Sequence, residues 1–147
     1  MRALAALAVA GLLAGCSGDE PAIAPGPDGT VRGTLDGVAL TLEVADEPRE
    51  RAVGLMGRTS VPAGTGMVFR YDEPVTERYY MYDVPIPLRA TFVRDGEVVS
   101  SVVMPPCGLD VPGDCPTYGA DGPYDTVVET APDALPDVRP GDAFSLD

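Results

Sequence analysis

The run Arg78-Tyr79-Tyr80-Met81-Tyr82-Asp83, followed by Pro85 and Pro87, holds the densest group of side chains able to grip a ligand. Alternation along an extended strand puts Arg78, Tyr80 and Tyr82 on one face and Tyr79 and Met81 on the other. Flat rings beside a guanidinium fork suit a small polar ligand, a glycan or a peptide, held by stacking and a charge-assisted hydrogen bond. Asp83 and the two prolines then end the strand at a shaped loop. The same pattern also serves as a plain sheet cover, with Tyr79 and Met81 turned into the core. Arg58, just beyond the chain's best helix, complements that helix's dipole or forms an ion pair with Asp83. Either Arg58 or Arg78 can be the cationic partner of the tyrosines, so the candidate binding set is Arg58, Arg78, Tyr80, Tyr82 and Asp83.

What is missing narrows the chemistry further. The chain of 147 residues has no His, no Trp and no Lys; all 10 basic residues are Arg. Histidine acid–base catalysis, histidine-ligated metals and a lysine Schiff base are excluded. Ser60, Ser100, Ser101 and Ser145 have no His or Lys to activate them, and no catalytic residue is assigned. Hydrolysis through carboxylates alone stays open as the alternative, a small hydrolase of envelope glycans or peptides. Asp110, Asp114, Asp121 and Asp125 lack a calcium-loop ladder and read as a solvated acidic surface. Met56, Met67, Met81 and Met104 are spaced for packing, not for a soft metal. No metal and no cofactor are expected. A formal charge of -13 argues against a nucleic-acid partner, since phosphate binding needs basic patches.

These residues must be positioned by a mainly β fold. Val31 to Leu35 and Val38 to Val44 flank Asp36-Gly37, and Arg89 to Arg94 and Glu97 to Met104 flank Asp95-Gly96. Both are hairpin signatures with the Asp-Gly dipeptide that tolerates two left-handed residues. Val98 and Val99 are both apolar, which predicts a strand buried on both sides or bulged. Met67 to Phe69, Glu77 to Asp83, Thr126 to Thr130 and Ala143 to Leu146 read as further strands. One helix is predicted, with Asp46 as N-cap, Pro48 in the first turn, an apolar side of Ala52, Val53, Leu55 and Met56, and Gly57 just past its end. Gly54 inside it implies close packing against another backbone. A weaker helical turn is predicted from Pro132 to Leu135. Many short strands with Gly and Pro between them predict a β-sandwich or barrel with one short helix packed against it.

The N-terminus carries an address. Met1 and Arg2 precede an uncharged apolar run, Ala3 to Ala14, too short to span a bilayer and suited to a secretory signal. Leu13-Ala14-Gly15-Cys16 resembles the lipobox of bacterial lipoproteins, which implies a signal peptide over residues 1–15 and lipidation of Cys16. Residues 16–30 then form a flexible Pro-, Gly- and acid-rich tether, and residues 31–147 a single β-rich domain. The expected location is extracytoplasmic, with the membrane as partner through the lipid. In that oxidising compartment Cys107 and Cys115 remain as an even pair, which reads as a disulfide. A two-thiolate metal or redox pair is the alternative, without the C-x-x-C spacing or a His to complete it.

Four segments, Ala45 to Arg58, Gly64 to Phe69, Tyr79 to Leu88 and Cys107 to Tyr118, together resemble the domain-of-unknown-function family numbered 192. The resemblance runs in order from about Leu40 to Leu146. It implies a compact jelly-roll-like β fold with a helix against it, and no activity. This chain has Tyr79-Tyr80-Met81 where the family usually has aromatic-Trp-Met, Tyr82 and Asp83 where it has a basic residue and Asn, and Arg89 where many relatives have a small or acidic residue. The functional expectation is a membrane-anchored binding or envelope-associated module.

Overall fold

The computed structural model describes residues 29–135 and 137–147; the expected signal peptide, Cys16 and most of the tether lie outside them. The two Asp-Gly turns form as the dipeptides require. Asp36 and Gly37 have φ of 47° and 78°, Asp95 and Gly96 of 51° and 79°. They close the hairpins β1 (Thr30–Leu35) with β2 (Val38–Ala45), and β5 (Leu88–Arg94) with β6 (Glu97–Met104), described below in their sheet. Between the hairpins run α1 (Pro48–Val53), β3 (Thr65–Val75) and the short β4 (Tyr79–Tyr80). After them come β7 (Thr117–Tyr118), β8 (Tyr124–Thr130) and β9 (Phe144–Leu146). Among the described residues the fold is mainly β with one short α-helix, as expected.

Seven strands form one mixed sheet in the order β6-β5-β8-β3-β2-β1-β9. Its single parallel pair, β2 with β3, follows from the crossover through α1. The sheet curls until its two edges meet. Val98 N–H donates to the Asp142 carbonyl at 2.9 Å, and Phe144 N–H to the Gly96 carbonyl at 2.8 Å. Barrel closure of this kind removes unpaired edge groups where it occurs.

Because successive side chains point to opposite faces, the central strands are buried on both. Leu42, Val68, Val93, Val98, Val128 and Phe144 belong to a cluster drawn from all seven strands, which fills the inside of the curl. Met67, Phe69, Ala90, Phe92 and Val127 point the other way, into a second cluster covered by the segment after α1, by Met81 and Val84, and by the β4–β7 ribbon. The Val98-Val99 ambiguity resolves as a bulge: the register slips between Phe92 and Val93, so Val98 is buried and Val99 exposed. Met67, Met81 and Met104 are core residues.

Several local expectations need correction. Glu47, not Asp46, is the N-cap, because the Glu50 carboxylate reaches back to accept from both the Asp46 and Glu47 N–H groups at 3.2 Å. Gly54 ends the helix instead of lying inside it. Its φ is 48°, and a Cβ there would sit 3.2 Å from the Phe69 ring, so a side chain rather than a backbone makes the close approach. The strand predicted over Glu77 to Asp83 shrinks to Tyr79–Tyr80, since Asp83 is left-handed, with φ of 55°. Pro132 to Leu135 forms a turn, not a helix.

Candidate functional site

A cavity of about 290 Å³ lies beneath α1, between its following residues, β3, β4 and β8. Leu55, Phe69, Met81, Val84 and Leu88 give it apolar walls, and Arg51, Tyr71, Glu77, Arg78 and Tyr80 also line it. Glu129 completes the lining. On β8 this residue shares the face of Val127 and sits between Met67 of β3 and Ala90 of β5 in the sheet register. The methyl of Ala90 is small, which leaves room over the carboxyl group.

Glu129 is 5% exposed. Among the described residues it has no hydrogen bond and no ion pair. Burial alone pushes its carboxyl up to about 8. At neutral pH it is therefore mostly a protonated acid, for which the desolvation cost is far smaller than for a carboxylate.

The phenols around it form an ordered ladder. The Tyr79 and Tyr71 hydroxyls lie 2.9 Å apart, and the Tyr71 hydroxyl donates to Glu77 at 3.3 Å. The Tyr79 ring stands edge-on to Phe69 and Phe92, with centroids at 5.3 and 5.9 Å. Burial holds the Tyr79, Tyr71 and Tyr124 phenols above the usual tyrosine range, so all three stay neutral. The cations near the cavity are already engaged. Arg51 lies 4.7 Å over the Tyr71 ring and donates to the carbonyls of Asp46 and Arg70. Arg78 donates to Thr117 Oγ1 at 2.9 Å and to the Thr117 carbonyl at 2.8 Å, tying β4 to β7.

The residues singled out in the sequence are thus split. Arg78 and Tyr80 line this cavity, Tyr80 at an exposed rim. Tyr82 and Asp83 lie past the end of β4, in a shallower groove of about 530 Å³ shared with Pro85, Pro106 and Leu109. The turn at Asp83 breaks the strand alternation on which a common face depended. Arg58 lines neither pocket. An ion pair with Asp83 was one of the roles open to it, but it pairs with Glu43 at 2.6 Å, because Glu43 projects from the adjoining strand β2 while Asp83 offers its carbonyl to Gly57 N–H at 2.7 Å. Cys107 and Cys115 are joined, with Cα atoms 5.5 Å apart. The Cys107 N–H donates to the Met81 carbonyl, so the bridged loop braces the cavity wall. Glu129 was absent from the candidates. Its signal was one carboxylate inside Val127-Val128-Glu129-Thr130, on the same strand face as a core valine.

Residues 31–146 match the model of DUF192, a family described as Uncharacterized ACR. Two solved structures are similar over most of their length. One is a protein of unknown function from Novosphingobium aromaticivorans DSM 12444, 28% identical, with a TM-score of 0.66 over 79% of this chain and 84% of that one. The other, from Sinorhizobium meliloti 1021, is provisionally described as a transcription regulator; it is 26% identical, with a TM-score of 0.69 over 80% of this chain and 93% of that one. No curated protein matches.

Proposed function

The chain belongs to the DUF192 family, and from that premise we propose that this member is a lipid-anchored, extracytoplasmic module that binds a small ligand in the cavity beneath α1. One observation carries the reading: an apolar-walled cavity of about 290 Å³ with an unpartnered, buried carboxyl group in its lining. The Glu129 oxygens are not among the fully buried polar atoms left without a partner; they open onto the cavity, where a ligand can supply the partner. Leu13-Ala14-Gly15-Cys16 supports the anchor, and the Cys107–Cys115 bridge fits an oxidising compartment. Nucleic-acid binding finds no support in a chain with net charge -13 and no Lys.

The test uses the full-length chain in detergent and a small-fragment screen read by thermal shift. Fragments that raise the melting midpoint should lose that effect in Val53→Phe, which fills the cavity from α1. Tyr80→Ala should weaken the same fragments about fivefold, whereas Tyr82→Ala, in the other groove, should leave them unchanged. Fragments unaffected by Val53→Phe would place binding elsewhere. Cys16→Ser should release the protein from membranes; retained lipid labelling would refute the anchor.

A second reading has its own observation. Glu77 and Glu129 line the same cavity, and a carboxyl pair is the minimum equipment of a glycan hydrolase. Release of products from envelope glycans by the native chain, but not by Glu129→Gln, would favour it over binding alone.

A further inference from the structure

We infer that the cavity beneath α1 accepts a small organic ammonium ion with an apolar body, its cationic head seated against Glu129 and its body against the apolar and aromatic walls. This rests on the cavity being the ligand site and goes beyond it by naming the chemistry of the occupant.

The charged groups around the cavity differ in the partners they already have. Arg51 is committed to two backbone carbonyls and the Tyr71 ring, and Arg78 to Thr117. Neither guanidinium forms an ion pair with Glu129. Among the described residues, the Glu129 carboxyl group has unused hydrogen-bonding capacity and no counter-charge, at 5% exposure, whereas the Glu77 carboxylate already accepts from Tyr71. An anionic ligand would accept one hydrogen bond from the protonated acid, but it would bring a further negative charge to a chain of net charge -13 and could not pair with the carboxylate. A neutral ligand would gain one hydrogen bond. An ammonium ion converts the acid to a carboxylate and gains a charge-assisted hydrogen bond in a setting of low polarity, where such bonds are strongest. Phe69, Tyr71, Tyr79 and Tyr80 add ring faces and edges around the same space, and ring faces attract cations. The chain's charge of -13 draws cations towards it. For size, an apolar cavity of roughly 150 Å³ holds a benzene ring, so about 290 Å³ admits a ring or short chain with its amine.

Proton balance follows from the site. Below about 8, Glu129 carries a proton. An ammonium ligand that ion-pairs with it displaces that proton to solvent, while the amine keeps its own. The other titratable groups lining the cavity are Arg51 in α1, Tyr71 on β3, and Glu77, Arg78, Tyr79 and Tyr80 in and beside β4; β5 brings Leu88 to the lining and Ala90 opposite Glu129, neither of which titrates. The buried phenols stay neutral throughout the range, and Glu129 carries the proton release.

Benzylamine, benzyl alcohol and benzoate are the probes, titrated calorimetrically into the full-length chain from about pH 6 to about pH 8 in buffers of differing ionisation enthalpy. Benzylamine should bind about tenfold or more tighter than benzyl alcohol. Its affinity should rise by up to about tenfold per pH unit, with proton release below pH 8. Glu129→Gln should erase both the preference and the proton release. The proton count needs no variant, so a poorly folding Glu129→Gln would not blunt the test. Equal binding of benzyl alcohol or benzoate, blocked by Val53→Phe, would overturn the ammonium assignment and leave the cavity as the ligand site. No binding by any of the three would overturn both.

Discussion

The two faces of the sheet are built from different materials. Inside the curl, Leu35, Leu40, Leu42, Val68, Val93 and Val128 belong to a largely aliphatic core to which all seven strands of the main sheet contribute. On the opposite face the packing uses Phe69, Phe92, Tyr79, Tyr124 and three methionines, and it leaves a cavity with Glu129 in its lining. Branched aliphatic side chains interlock across adjacent strands and leave little space. Rings and thioethers pack at edges and angles, and their phenols must be given partners. The aliphatic face therefore stabilises the barrel, while the aromatic face trades packing for a shaped, polar interior. The two are joined through the same strands: Val128 and Glu129 are adjacent residues.

The sharpest way to separate the faces is to damage the aliphatic one. Leu42→Ala should cost about 2–5 kcal/mol of unfolding free energy, read by denaturant melts, because a fully buried side chain is lost from inside the curl. Fragment binding to the remaining folded protein should be unchanged. A loss of binding as large as the loss of stability would show that the faces are not independent.

On the aromatic face the expected change has the opposite sign. The Glu129 carboxyl rises from 4.5 to about 8 on folding, so between those values the folded state holds a proton that the unfolded state has released. Stability should fall as pH rises across that window, by a few kcal/mol in all as an order of magnitude, and flatten above it. Glu129→Gln removes this contribution: it should be more stable than the native chain near pH 8 and close to it below about pH 4.5. Parallel pH profiles for the two proteins would show that the buried acid carries no such cost.

A smaller effect is expected at the brace. Replacing Cys107 and Cys115 with Ser opens the loop that leads into β7 and should cost roughly 2–3 kcal/mol on the chain-entropy account. Hydrogen exchange should quicken first at Tyr79, Tyr80 and Thr117, the ribbon that walls the cavity, and not in β1 or β2. The smallest effect is at Arg58, whose bridge to Glu43 is at the surface, with the Arg58 side chain 45% exposed. Arg58→Ala should change stability by less than about 1 kcal/mol and leave binding untouched. A larger loss would mean that the pair anchors the segment after α1 to β2.

Comparison of particular elements shows where sequence reasoning succeeded. Both Asp-Gly hairpins were legible because a turn of that type is decided by two residues and their φ preferences. The cysteine pair was legible from parity and short spacing. The placement of the candidate binding residues was only partly so. Arg78 and Tyr80 do line the cavity, but Tyr82 was assigned to their face on an alternation that stops at Tyr80, and Asp83, read as the end of that strand, lies with Tyr82 in the other groove. Asp83 lies in a left-handed turn docked onto Gly57, a contact with the segment after α1 that no local pattern announces.

The chain's own residues determined the mainly β character, the two tight turns, the short helix and the exclusion of histidine and lysine chemistry, since each depends on local conformational preference or on composition. Only the tertiary structure decided that Glu129 is buried without a partner, that Arg51 and Arg78 are already spent on neighbours, and that Arg58 turns to Glu43. The physical reason is the range of the interactions. A turn is settled within four residues, whereas the charge state of a carboxyl group depends on what lies across the cavity from it. Here that means α1 and its following segment, β3 and the β4–β7 ribbon, which reach Glu129 from some ten to eighty residues away in sequence, as a rough span, and meet only when the sheet has curled.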